Sequence, residues 1–204
     1  MRARDIMSSP VISVTPLTTA KVAAHLLASN GFTALPVLDD DDRLIGVVTE
    51  ADLIRDRFPR DPRYHHADEA GTGGNAPPAV VGEVMTTPAI GMGAGTDVVD
   101  LVTVMLDDRV RSMPIVDGSR VIGIVTRRDL VRAIGRDDKA ISDDVRHRLS
   151  MYGGPDRWTV EVHDGAVSIG DEFDDATDRH VAGVLAEAVP GATAVDVTSR
   201  SAND

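Results

Sequence analysis

The chain has no cysteine among its 204 residues, few aromatics (3%), and no apolar run near the roughly 20 residues of a membrane span. The first absence excludes disulfides, thiol catalysis and Cys-based zinc sites. The second means that a core must be built from Val, Leu, Ile, Ala and Met, which the 42% hydrophobic content supplies. Basic residues are also short: 21 Lys and Arg stand against 33 Asp and Glu, a formal charge of -12. A field of that sign repels the phosphate backbone and argues against nucleic-acid binding. The opening Met1-Arg-Ala-Arg-Asp-Ile-Met7 lacks the apolar stretch of a signal peptide, so a cytoplasmic location is the expectation.

What is present is a repeat. Asp5-Ile-Met-Ser-Ser-Pro10 through Leu44-Ile-Gly-Val-Val-Thr-Glu-Ala-Asp-Leu-Ile54 recurs about 78 residues on. The second copy runs from Glu83-Val-Met-Thr-Thr-Pro88 to Val121-Ile-Gly-Ile-Val-Thr-Arg-Arg-Asp-Leu-Val131. Such a unit cannot bury its apolar face alone, so two copies are expected to pack together and form paired clefts.

In the first copy Val11–Val14 reads as a short strand, and Thr18 or Thr19 as the cap of a helix carrying Val22, Ala23, Leu26 and Leu27. Asn30-Gly31 is a stop signal. Thr33–Leu38 and Arg43–Val48 read as a hairpin turned by Asp39–Asp42, and a helix starts near Thr49. The second copy follows suit. Thr96 or Asp97 caps a helix, Arg111–Val116 and Arg120–Val125 form a hairpin, and a helix runs from Thr126 to near Gly135. Residues 59–82, rich in Gly and Pro, read as a flexible linker. It contains His65-His66, two solvated loop histidines rather than a metal site.

From about Asp137 the composition changes. Ser142 reads as the cap of a helix through Val145, Leu149 and Met151. Trp158–Val162 and Ala166–Ile169 form a hairpin on an Asp164-Gly165 turn. A helix follows with Val181, Val184, Leu185 and Ala188 on one face. Pro190-Gly191 ends it, and Ala194–Val197 is a last strand. The acidic runs Asp39–Asp42 and Asp171-Glu172 with Asp174-Asp175 lack the spacing of a calcium loop and read as solvated turns.

Each repeat ends its hairpin in Gly-x-x-Thr-x-x-Asp: Gly46, Thr49 and Asp52, then Gly123, Thr126 and Asp129. Thr-x-x-Asp at a helix start is close to a capping box, in which hydroxyl and carboxylate take up free N–H groups. The same place can serve a ligand. A helix N-terminus favours an anion, a carboxylate can accept two hydrogen bonds from a ribose diol, and a glycine lets a flat ring approach the backbone. The copies differ in charge. Glu50-Ala51 follows Thr49, whereas Arg127-Arg128 follows Thr126, so the second motif is better suited to phosphate. No Gly-x-Ser-x-Gly elbow, phosphate-binding Gly-Lys loop or His-Glu-x-x-His occurs, and no catalytic or metal residues are assigned. An enzyme is the least favoured of the function classes.

These features resemble a pair of CBS (cystathionine β-synthase) domains. The likeness rests on Ile6-Met7-x-x-Pro10, Leu35-Pro36-Val37 and Gly46-x-x-Thr49-x-x-Asp52. It recurs at Val84-Met85-x-x-Pro88, Met113-Pro114-Ile115 and Gly123-x-x-Thr126-x-x-Asp129. The C-terminal part resembles a BON (bacterial OsmY and nodulation) domain at Ser142-Asp-Asp-Val145, Val162-His-Asp-Gly-Ala-Val167, Gly170 and Val189-Pro-Gly191. The resemblance implies an α+β fold: two β-α-β-β-α repeats at 1–58 and 83–136, packed as a pseudo-twofold pair, with an α-β-β-α-β module at 138–200. It implies a non-catalytic regulator that takes AMP, ADP, ATP or S-adenosylmethionine as a regulatory ligand and has no classical cofactor. By that resemblance Thr49, Asp52, Thr126 and Asp129 hold ribose and phosphate. Ile12, Phe32, Ile90 and Val110 line adenine pockets, and Arg127 and Arg128 meet phosphate. A homodimer through the CBS repeats is implied, as is a protein or phospholipid partner of the BON module. The alternative is a ligand-free interaction protein working through dimerisation and the BON surface.

Overall fold

Local signals place the elements of the first repeat. In the computed structural model, which describes residues 1–55, 57–58, 78–173 and 175–199, Thr19 caps helix α2 (Ala20–Asn30) by accepting from Val22 N, and Gly31 ends it at φ 65°. The helix follows a four-residue α1 (Ala3–Ile6). It buries Ala20, Ala23 and Leu27, while Val22, placed on the apolar face from the sequence, is half exposed. Strands β1 (Ala34–Leu38) and β2 (Leu44–Thr49) pair antiparallel with Ala34 opposite Thr49. The acidic turn between them is built by Asp39, whose Oδ1 accepts from Asp41 N and Arg43 N. Helix α3 (Glu50–Ile54) closes the unit. The expected strand at Val11–Val14 is reduced to one parallel bridge, Val14 to Val37. Pro16 directly beyond it has no N–H to extend the ladder. Val81, part of the linker by sequence, is fully buried in this repeat's core, in a 3₁₀ turn at Val81–Glu83. His65 and His66, with most of the linker, lie outside the described residues.

The second repeat supplies a two-residue β3 (Met92–Gly93), α4 (Val98–Asp107) capped by Asp97, β4 (Ser112–Asp117), β5 (Arg120–Thr126) and α5 (Arg127–Ile134). The sheet order is β3-β4-β5, with β3 parallel to β4. Two compact units cut across the repeats. One comprises residues 9–93 and 109–124. The other comprises 1–8, 94–108 and 125–204. In the latter, the chain start joins the second repeat through Ala3 N to Thr96 O and Arg4 N to Ala94 O.

The C-terminal module begins without a spacer. Asp137, not Ser142, caps α6 (Asp138–Gly153). Ser142 lies a turn inside the helix and is buried, because the Asp137 carboxylate already takes the Ala140 N–H. β6 (Trp158–His163) and β7 (Ala166–Asp171) form the expected hairpin. Asp164 and Gly165 take positive φ at the turn, and the Asp138 carboxylate accepts both their N–H groups. Helix α7 (Ala176–Glu187) returns the chain to β8 (Ala194–Ser199), parallel to β7 in a sheet ordered β6-β7-β8. Ile141, Val145, Leu149, Trp158, Val160, Val167, Ile169, Ala182 and Ala186 make the core. Val184, expected on the packed face, is half exposed.

Asp171 corrects the sequence reading most sharply. It was expected in a solvated turn and is fully buried. Arg157 bonds it twice, through Nε at 2.8 Å and Nη2 at 3.0 Å, and reaches Asp178 at 2.6 Å. The guanidinium also stacks over Trp158. Burial is the largest single influence on the Asp171 carboxyl and opposes its charge. The Arg157 hydrogen bonds, the Phe173 N–H and the nearby arginine charges together outweigh it and hold the carboxyl below the ordinary range. Hydrogen bonds from Tyr152 and Arg157 do the same for Asp178.

Asp171→Asn is therefore expected to destabilise the module by about 3 kcal/mol, since it leaves a buried guanidinium under-compensated. Urea unfolding read by Trp158 fluorescence measures this. A carboxylate with a depressed folded pKa stabilises fully above its unfolded value of about 3.9 and loses that contribution as pH falls through the lower folded value. Wild-type stability should thus fall steeply below about pH 4, and Asp171→Asn should flatten that fall.

Candidate functional site

Each hairpin delivers its Thr-x-x-Asp to the first turn of a helix, and the two copies are superimposable in their bonding. In the first, Thr49 N and Thr49 Oγ1 both donate to Asp52 Oδ2, at 2.9 and 2.7 Å, and Asp52 N returns a 3.3 Å bond to Thr49 Oγ1. In the second, Thr126 N and Oγ1 donate to Asp129 Oδ2 at 2.9 and 2.6 Å, with Asp129 N to Thr126 Oγ1 at 3.3 Å. The capping box expected from the sequence is complete in both. It uses one carboxylate oxygen only.

The other oxygen separates the copies. Asp129 Oδ1 accepts from Arg132 Nη1 at 3.3 Å, an ion pair whose arginine is largely exposed. Asp52 has no such partner among the described residues. The residue at the matching place, Arg55, follows the last residue of α3, a helix of five residues against eight in α5. Asp129 is also the more buried carboxylate, 8% exposed. The sequence reading overlooked Arg132. Its i+3 spacing from Asp129 on a helix is the signal that would have found it.

The remaining candidates fall as follows. Arg127 is half-buried and turns back to donate to Met105 O at the end of α4, at 2.9 Å, while Arg128 is exposed. Phe32 packs against the first repeat's core and Glu50 N bonds Thr33 O at 3.2 Å, which brings the Phe32–Thr33 segment to the first motif. Ile12 is 41% exposed, two residues before the Val14 bridge. Ile90 is half exposed and Val110 partly buried. Thr49, Asp52, Ile12, Phe32, Ile90 and Val110 belong to one compact unit, and Thr126 to Asp129 to the other.

Gly46 has a different reason from the one expected. A Cβ there would fall 2.9 Å from Met85 Sδ and 3.1 Å from Thr86 O, because Thr86 bridges Val47 with N–H···O bonds of 2.9 and 3.1 Å. The glycine admits the opening segment of the second repeat rather than a flat ring. No group of three or more His, Cys, Asp or Glu able to hold a metal occurs among the described residues, and none of their helices is long and apolar enough to cross a membrane.

Gly46→Ala is expected to cost about 1–3 kcal/mol in overpacking, read as a lower melting temperature. An unchanged melting temperature would contradict the assignment.

The family model for the CBS domain matches residues 3–57 and again 81–136. Hypoxic response protein 1 of Mycobacterium tuberculosis is 31% identical over 130 residues, 64% of this chain and 82% of that protein. CBSX2 in complex with AMP is 31% identical with a TM-score of 0.52, over 65% of this chain and 94% of that one; CBSX2 is from Arabidopsis thaliana. The CBS domain pair of protein MJ0100, in complex with 5′-methylthioadenosine and S-adenosyl-L-methionine, is 25% identical with a TM-score of 0.53, over 66% and 100%. These similarities leave about a third of this chain uncovered. With both repeats matched over more than half of its length, the chain belongs to the CBS domain family.

Proposed function

We propose that the protein is a non-catalytic regulator that binds an adenosine-containing ligand at its Thr-x-x-Asp motifs, the second more strongly than the first. The observation that carries this reading is the unshared duty of the aspartate. Asp129 Oδ2 holds the helix cap, and among the described residues Oδ1 is bonded to an exposed, displaceable arginine. A ribose diol can take that oxygen without unmaking the cap. Two relatives support the ligand class, one solved with AMP and one with S-adenosyl-L-methionine. The eight-residue α5 offers spare N–H donors and a positive dipole end to a phosphate. Glu50 at the corresponding place of α3 repels one.

The C-terminal module is a BON-like domain in this reading and passes the ligand state to a protein or phospholipid partner. Self-association through the CBS repeats belongs to the same reading. It draws on apolar side chains left exposed on α4 and α5, among them Val99, Leu106, Val131 and Ile134.

Titration calorimetry with AMP, ATP and S-adenosylmethionine tests the proposal. At least one should give saturable heat. Asp129→Ala should weaken binding by about tenfold or more, the cost of a lost charge-assisted hydrogen bond, and Asp52→Ala should weaken it less. No heat with any of the three would overturn the reading, and the reverse order of the two variants would overturn the asymmetry.

A further inference from the structure

The end of α5 and the short connection after it are bonded directly to the C-terminal module. Arg136 Nη1 donates to Pro190 O at 2.8 Å, and Nη2 donates to Asp144 Oδ2 at 2.6 Å and Ala140 O at 3.4 Å. Gly191, at φ 94°, packs so tightly that a Cβ on it would fall 3.0 Å from Ala133 O and 2.9 Å from Ile141 Cδ1. Ala133 lies within α5 and is buried, and Asp137 already caps α6. The joint therefore has no slack. At its other end α5 is fixed by the Asp129 cap and by Arg127 to Met105 O. An eight-residue helix is about 12 Å long and internally stiff.

We propose that α5 is a strut that transmits occupancy of the Asp129 site straight into the C-terminal module. This rests on the ligand reading above. One contact on the strut itself is open to exchange. Arg132 holds Asp129 Oδ1. A ribose hydroxyl taking that oxygen releases Arg132, and the first turns of α5 gain the ligand as a new anchor. Because Arg136, Ala133 and Gly191 fix the far end, α5 cannot shift without moving the Pro190–Gly191 loop and α6. That is the requirement for coupling: one element whose position both ends bias.

Hydrogen exchange of the full chain, with and without saturating AMP or S-adenosylmethionine, tests the strut. Trp158, the chain's only tryptophan and buried in the module core, gives a parallel fluorescence signal. Protection of α6 and the β6–β7 hairpin should change by about fivefold or more, the lower end of ordinary coupling. In Arg136→Met the change should vanish while the binding heat remains. Asp144→Asn, which removes one of the Arg136 bonds and keeps that to Pro190, should reduce it part-way. Heat without any change in the module overturns the strut and leaves the ligand reading standing. A change that survives in Arg136→Met overturns the route through this joint. If neither compound gives heat, the ligand reading falls, and the ligand-free arm still decides the mechanical claim. Arg136→Met must then speed exchange in α5 as well as around Pro190–Ala192; an effect confined to that loop overturns it.

Discussion

One oxygen of one carboxylate holds each repeat's last helix in place. Asp52 Oδ2 and Asp129 Oδ2 each accept a backbone N–H and a threonine hydroxyl, which turns the chain from a hairpin strand into a helix at a fixed residue. The cap orients the carboxylate before any ligand arrives. The structural role and the proposed ligand role are therefore not rivals at this motif, since the cap takes only Oδ2. A preorganised acceptor spares a ligand the cost of ordering it.

The copies share this device and differ in what surrounds it. α3 has five residues and an acidic first turn, whereas α5 has eight and carries Arg127, Arg128 and Arg132. Extra length lets the second helix bond its own aspartate through Arg132, and Arg136, two residues beyond its end, joins the C-terminal module. One divergence between the repeats thus falls on the element that leads from the candidate site to the part of the chain outside the CBS match.

Features set by neighbours in the chain were legible in the sequence. Thr19, Gly31, Asp164-Gly165 and both capping boxes need only local bonding patterns, and the repeat itself announced the paired hairpins. What stayed hidden depends on residues far apart in sequence. Asp171 looks like a turn acid until Arg157, the residue before β6, reaches it. Gly46 looks like a ligand-facing glycine until Thr86 bridges beside it. Ser142 is a good cap residue, but Asp137 wins by starting the helix a turn earlier. Val184 fits a helical stripe, yet Ala182 and Ala186 are the helix positions buried in the module core, where small side chains allow close approach. The BON resemblance predicted the α-β-β-α-β order that the module has, and its family assignment remains part of the proposal.

The central claim is that Asp129 receives a ribose diol through the oxygen its cap does not use. Comparing AMP with 2′-deoxy-AMP by calorimetry addresses that single bond, in wild type and in Asp129→Asn. Wild type should bind the deoxy compound about tenfold or more weakly, the worth of a hydrogen bond to a charged group, and Asp129→Asn should bind the two nearly alike. Equal affinity of wild type for both nucleotides would contradict the account.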